Sequence, residues 1–138
     1  MSSNIINSVY QGGMAFSAEI NGHTVTIDLD NAGGGNDLGT SPKILMLVSL
    51  AGCTGVDVVS ILNKMKVSFS DFAIKVDAHL TEEHPKIYDE VTITYTIRVE
   101  KADEDKVKKA VDLSQEKYCG VSEMFRSFSK LSSKIIYL

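Results

Sequence analysis

Ile44-Leu-Met-Leu-Val-Ser-Leu-Ala-Gly-Cys-Thr-Gly-Val-Asp-Val-Val-Ser-Ile-Leu62 is the stretch on which the fold of this 138-residue chain turns. It follows Ser41-Pro42, an N-cap residue and a proline suited to the first helical position. The pattern predicts a helix from Pro42 to Met65. Roughly 24 residues at 1.5 Å each make it about 36 Å long. That exceeds what a domain of this size needs, and apolar side chains lie all round it, so part of its surface is expected to pack on another subunit. The run approaches the length of a membrane span. However, Ser49, Asp57 and Ser60 interrupt it, Gly52 and Gly55 sit in its middle, and a charge within a span is costly. We therefore read it as a core and interface helix. Ala51-Gly52-Cys53-Thr54-Gly55 is a patch of small residues where another backbone can approach closely.

Short strands are predicted before this helix, over Ser8–Phe16 and Ala18–Leu29, with turns at Gly12-Gly13 and Asn21-Gly22. Asn-Gly is a strong two-residue hairpin signal. Val25, Ile27 and Leu29 alternate with Thr24, Thr26 and Asp28, as in a half-buried strand. Two longer strands are predicted after the helix. Phe69–Leu80 alternates through Phe72, Ile74, Val76 and Ala78, and Ile87–Val99 through Val91, Ile93, Tyr95 and Ile97. Thr81–Lys86 joins them as a polar hairpin loop. Asp103–Tyr118 reads as an amphipathic helix with Val107, Ala110, Val111 and Leu113 inward. A further turn or short helix is predicted over Gly120–Ser129 and a final strand over 130–138, its apolar part at Lys134–Leu138. This order is α+β, with antiparallel strands packed on helices, in one domain spanning 1–138.

Composition narrows the function classes. The apolar fraction of 43% and charged fraction of 23% are those of a globular protein. A net charge of -4 and the lack of a basic stripe argue against nucleic acid. Met1-Ser2-Ser3-Asn4 has neither the basic segment nor the apolar core of a secretory signal, so the cytoplasm is the expected compartment. There, cysteines are more often reduced, catalytic or redox-sensing than locked in a structural disulfide.

The chain has two cysteines. Cys53 lies mid-helix in apolar surroundings, where a thiol is usually inert filler. Cys119 ends Asp112-Leu-Ser-Gln-Glu-Lys-Tyr-Cys119. A helix beginning at Gly120 would turn free N–H groups toward its sulfur, and Lys117 and Arg126 are near in sequence. If the fold joins the two thiols they form a redox centre; if not, they are small apolar fillers. No metal is expected. His23, His79 and His84 are scattered, and two cysteines alone cannot complete a tetrahedral site. Gly33-Gly-Gly35 lacks the Gly-Lys-Ser/Thr of a phosphate loop and reads as a flexible surface loop.

Ser41-Pro42, the apolar spacer and Gly52-Cys-Thr-Gly-Val-Asp-Val-Val-Ser-Ile-Leu62 resemble the central-helix signature of the OsmC/Ohr superfamily. Ala110-Val-Asp-Leu-Ser-Gln-Glu-Lys-Tyr-Cys119 resembles its second-cysteine motif, and the wording of both is similar to the YhfA-like subgroup. The resemblance runs from about Gly13 to the C-terminus. It implies an OsmC-like fold, with antiparallel sheets around long central helices in an intertwined homodimer. It also implies an active site at the dimer interface and a thiol peroxidase acting on organic hydroperoxides in the stress response. Cys53 would be peroxidatic and Cys119 resolving, with no cofactor beyond an external dithiol reductant. Peroxidase members place an arginine from the N-terminal sheet at the thiol, held by a glutamate after the helix-opening proline. Here no arginine precedes Arg98, and Lys43 follows Pro42. Lys43 and Arg126 are the candidate polar groups in their stead, with Arg98 a further cation. The missing pair leaves a second reading open: a non-catalytic dimer that binds a small molecule, with Cys53 lining the cleft.

Overall fold

A computed structural model describes residues 2–138; Met1 lies outside the described residues. Contacts cluster into two compact units, one ending at Met46 and one running from Leu47 to Leu138.

The N-terminal unit holds three strands where two were expected. They are β1 (Ser8–Tyr10), β2 (Phe16–Ile20) and β3 (His23–Ile27), in an antiparallel sheet of that order. Gly12 and Gly13 adopt positive φ and break the first predicted strand in two. Asn21 and Gly22, also at positive φ, close the hairpin with Ile20 opposite His23. That is the turn the Asn-Gly pair predicts. β3 stops at Ile27 rather than Leu29 because Asp28 turns inward. Its buried carboxylate accepts the N–H groups of Leu29 at 2.7 Å, Asn36 at 3.1 Å and Leu38 at 3.2 Å. The loop that carries the glycine run is thus anchored to Asp28 at Asn36 and Leu38. A Cβ on Gly35 would lie 2.1 Å from the Leu29 carbonyl oxygen, and one on Gly39 2.1 Å from that of Thr26. Glycine is required at both by close backbone approach.

The helix α1 spans Pro42–Lys64, and its first bond runs from the Leu45 N–H to the Ser41 carbonyl. Within the C-terminal unit it buries one stripe, Leu50, Thr54, Val58 and Leu62, at successive spacings of four. That spacing keeps the residues on one face. Val48 and Val56 stay exposed on the rest of its surface. By length and composition alone α1 could cross a membrane.

β4 (Ser70–Leu80) pairs antiparallel with β5 (Tyr88–Arg98), and β5 pairs parallel with β6 (Lys130–Tyr137). The parallel ladder departs from the all-antiparallel expectation. Two strands joined by a long helical crossover can pair this way, and here the segment between them carries α2 (Glu104–Leu113) and α3 (Gly120–Arg126). β5 is the central strand. Val91, Ile93, Tyr95 and Ile97 are fully buried as its alternation predicts, whereas Ile87 falls outside the strand and is exposed. They share a core with Leu50, Val58, Leu62, Val107, Ala110, Val111 and Phe125. The helix predicted over Asp103–Tyr118 is present without a break, but its winding is not uniform. It opens with a 3-10 turn at Lys101–Asp103 and widens into a π-helical turn at Ser114–Tyr118.

Asp28 generates a pH prediction. Burial pushes its carboxyl up, but the N–H groups of Leu38, Leu29 and Asn36 outweigh this and hold it below the ordinary value of 3.8. A depressed carboxyl contributes stability that is present above the unfolded value and lost as pH falls through the folded one. The amides of Leu29, Asn36 and Leu38 should thus lose hydrogen-exchange protection on acidification below about pH 4. Asp28→Asn should lose it at neutral pH, and unchanged protection in that variant would show the clasp to be idle. Gly35→Ala should cost about 1–3 kcal/mol through overpacking, read from the denaturant midpoint.

Candidate active site

α1, β5 and the π-helical turn converge on a line of buried hydroxyls. Thr54 Oγ1 lies 2.6 Å from the Tyr95 hydroxyl and 2.8 Å from Ser114 Oγ. Ser114 Oγ donates to Asp57 Oδ2 at 2.9 Å. Gln115 Nε2 donates to the Tyr95 hydroxyl at 2.8 Å and to Thr54 Oγ1 at 3.1 Å. Bond directions follow from the ends of the line. A carboxylate only accepts, so the Ser114 proton points to Asp57. Thr54 must then donate to Ser114, and Tyr95 to Thr54. The protons run Tyr95, Thr54, Ser114, Asp57. Burial pushes the Tyr95 phenol above its ordinary 10.0, and the hydrogen bonds with Thr54 and Gln115 only partly oppose this. Tyr95 is thus a donor across the physiological range.

This line delivers both cysteines to one place. Asp57 follows Cys53 by four residues on α1, which puts the two side chains on one helical face. The π-helical turn closes with the Cys119 N–H on the Ser114 carbonyl at 2.8 Å, so the bonding that buries Ser114 also fixes Cys119. The Cys53 and Cys119 sulfurs and a carboxylate oxygen of Asp57 all lie within 4.8 Å of one another. Both thiols are free.

The thiols differ. Cys53 is half-buried; Cys119 is only 3% exposed. Cys119 caps α3 as the helix start at Gly120 predicts, its sulfur accepting the Ser122 N–H at 3.3 Å. Yet its thiol is pushed up, not down. Burial is the largest cause, the nearby Cys53 sulfur adds to it, and the Ser122 hydroxyl and N–H oppose it. The Ser122 hydroxyl is buried without a conventional hydrogen-bond partner.

Arg126, Arg98 and Lys117 have other commitments. Arg126 donates to the Gln115 carbonyl at 2.6 Å and pairs with Glu123 at 3.1 Å, tying α3 to the π-helical turn. Arg98 pairs with Asp71 at 2.9 Å. Lys117 stands 5.3 Å from the centroid of the Tyr118 ring. Lys43 is in the first turn of α1, about 15 Å along the axis from Cys53. The structure therefore brings Cys53 and Cys119 together, whereas Arg126 bonds to the Gln115 carbonyl and Glu123 instead. Sequence reasoning passed over Asp57 and the hydroxyl line. The four-residue spacing from Cys53 was a signal for Asp57. No local signal marked Thr54, Tyr95 and Ser114 as partners. Beside the site a cleft of about 440 Å³ is lined by Asp57, Ser60, Ile61, Lys64, Leu113 and Tyr118, among others.

Comparison with known proteins identifies the fold and the family. A family model described as OsmC-like protein matches residues 33–134. Protein YhfA of Escherichia coli (strain K12) is 33% identical over 113 residues, 81% of each chain. A solved structure of a hypothetical protein from Aquifex aeolicus VF5 superposes with a TM-score of 0.81 at 31% identity, covering 100% of this chain and 99% of that one. An organic hydroperoxide resistance protein OsmC from Legionella pneumophila superposes with a TM-score of 0.67 at 15% identity over 99% of each chain, a likeness of fold.

Thr54→Val tests the hydroxyl line. It strands the buried Tyr95 proton and removes a partner from Ser114 and Gln115, so it should destabilise the fold by about 1–3 kcal/mol. An unchanged denaturant midpoint would show that these bonds are not structural.

Proposed function

This chain belongs to the OsmC-like protein family, and from that premise we propose that it reduces organic hydroperoxides with Cys53 and Cys119. One observation carries the reading: two free thiols and a carboxylate within 4.8 Å of one another. Cys53, the more accessible sulfur, attacks the peroxide oxygen. The S–O bond forms, the O–O bond breaks, and the alcohol leaves with a proton. Asp57, one turn away and with a carboxylate oxygen within 4.8 Å of the Cys53 sulfur, serves as the base for its proton. Cys119 then attacks the sulfenic sulfur, forming a disulfide and releasing water. The raised Cys119 thiol suits this second, resolving role. An external dithiol reduces the disulfide and completes the cycle. The apolar wall of Ile61, Met65 and Leu113 favours an organic over an inorganic peroxide.

The same reading includes a homodimer in the cytoplasm, acting in the stress response. Two exposed apolar surfaces support association: Val9, Tyr10 and Phe16 in the N-terminal sheet, and Ile44, Val48 and Val56 on α1. A Cβ on Gly52 would meet no atom of its own chain within 4 Å, which leaves room for another backbone. A second reading, a dimer that binds a small molecule without turnover, is favoured by Arg98 and Arg126 being paired elsewhere.

Cumene hydroperoxide added to reduced protein should consume two thiols per chain and yield one disulfide. Cys53→Ser should fall to the uncatalysed rate, and Cys119→Ser should stop after one turnover with a sulfenic acid that dimedone traps. Asp57→Asn should slow the first step by about 100-fold. Thiols that survive excess peroxide would leave the binding reading. Gly52→Leu should weaken the dimer, read by light scattering; a wild-type chain folded as a monomer at low concentration would exclude it.

A further inference from the structure

We propose that Cys53, Cys119 and Asp57 form a binding site for a thiophilic divalent cation of the zinc class. The site stands on geometry and donor chemistry, whether or not the protein turns over hydroperoxides.

The donors come from two elements. Cys53 and Asp57 share one face of α1, and Cys119 caps α3. Their three ligand atoms are mutually within 4.8 Å. An ion at the centre of such a triangle is no more than about 2.8 Å from each atom, against bond lengths of about 2.3 Å to sulfur and 2.0–2.2 Å to carboxylate oxygen. A contraction of about half an ångström per ligand completes the bonds. Three protein ligands leave the fourth tetrahedral position open, as in sites where zinc keeps a water. Asp57 also lines the neighbouring cleft, which provides a path from solvent.

Charge points the same way. Both thiolates and the carboxylate would bring three negative charges together, while the chain's two arginines pair with Asp71 and Glu123. A divalent cation supplies the missing positive charge, and two thiolates select zinc-like ions over magnesium or calcium. The surrounding bonds suit the role. Ser114 donates to Asp57 and the Ser122 N–H donates to the Cys119 sulfur, so outer groups orient two of the three ligands. On binding, each thiol releases its proton. A disulfide between the same sulfurs would remove both thiolates, so metal binding and disulfide formation exclude each other.

Co2+ titrated anaerobically into the reduced, metal-free protein tests the site. The expected result is one Co2+ per chain, with a thiolate-to-cobalt charge-transfer band and tetrahedral d–d bands that stoichiometric Zn2+ abolishes. Cys53→Ser and Cys119→Ser should each reduce the charge-transfer intensity, and Asp57→Ala should weaken affinity by at least about 10-fold. Wild-type protein oxidised to the disulfide with diamide and freed of reagent should not bind, which controls for a variant that fails to fold. A reduced wild type without the charge-transfer band, or an Asp57→Ala protein that binds like wild type, overturns the proposal. Peroxide consumption by the metal-free protein is scored separately, so this site and the peroxidase reading can fail independently.

Discussion

A buried threonine hydroxyl on α1 is the constraint on which the site depends. A hydroxyl removed from water must find partners or cost several kcal/mol. Thr54 finds them on β5 at Tyr95 and on the π-helical turn at Ser114 and Gln115. Those partners lie 41, 60 and 61 residues away in the chain. Satisfying one oxygen therefore fixes the register of three elements against one another. The apolar stripe of Leu50, Val58 and Leu62 supplies the burial that makes this hydroxyl demanding. The line ends on Asp57, so the same bonds that lock the core also aim a carboxylate at the two thiols.

The widened turn at Ser114–Tyr118 has a clear physical role. A regular helix would carry Ser114, Gln115 and Cys119 past their partners with the ordinary four-residue hydrogen bond. The five-residue bond from the Cys119 N–H to the Ser114 carbonyl turns the backbone so that both residues point inward. Such widenings are frequent at functional sites because they redirect side chains without breaking the hydrogen-bond ladder. Arg126 holds the turn from outside through the Gln115 carbonyl. Its charge thus serves position, in a place where proximity in sequence had suggested a partner for Cys119.

The electrostatics of the thiol pair set this chain apart from the arginine-assisted pattern that its family motifs imply. Cys119 gains a helix N–H and still rises, because burial outweighs one hydrogen bond. Asp57 adds negative charge beside the pair. Nucleophilic chemistry at such a pair requires a proton acceptor within the site, and the Asp57 carboxylate is the acidic group beside both sulfurs.

Much of the fold was legible in the sequence because it is written in short-range pattern. Ser41-Pro42 and the apolar run predicted α1 to within a residue of its observed end. Asn21-Gly22 predicted its hairpin, and the alternation of Val91, Ile93, Tyr95 and Ile97 predicted the buried face of β5. The motifs around Cys53 and Cys119 identified both sulfurs and the family. What escaped was set by partners distant in the chain. The parallel pairing of β5 with β6, the inward turn of Asp28 and the convergence of Thr54, Tyr95 and Ser114 have no local periodicity to announce them. Sequence by itself determined the family motifs, the long apolar helix and the two cysteines as candidate site residues. Only the tertiary structure decided that the two thiols meet, that Asp57 joins them, and that burial raises one thiol, because proximity and desolvation belong to the packed chain and to no segment of it.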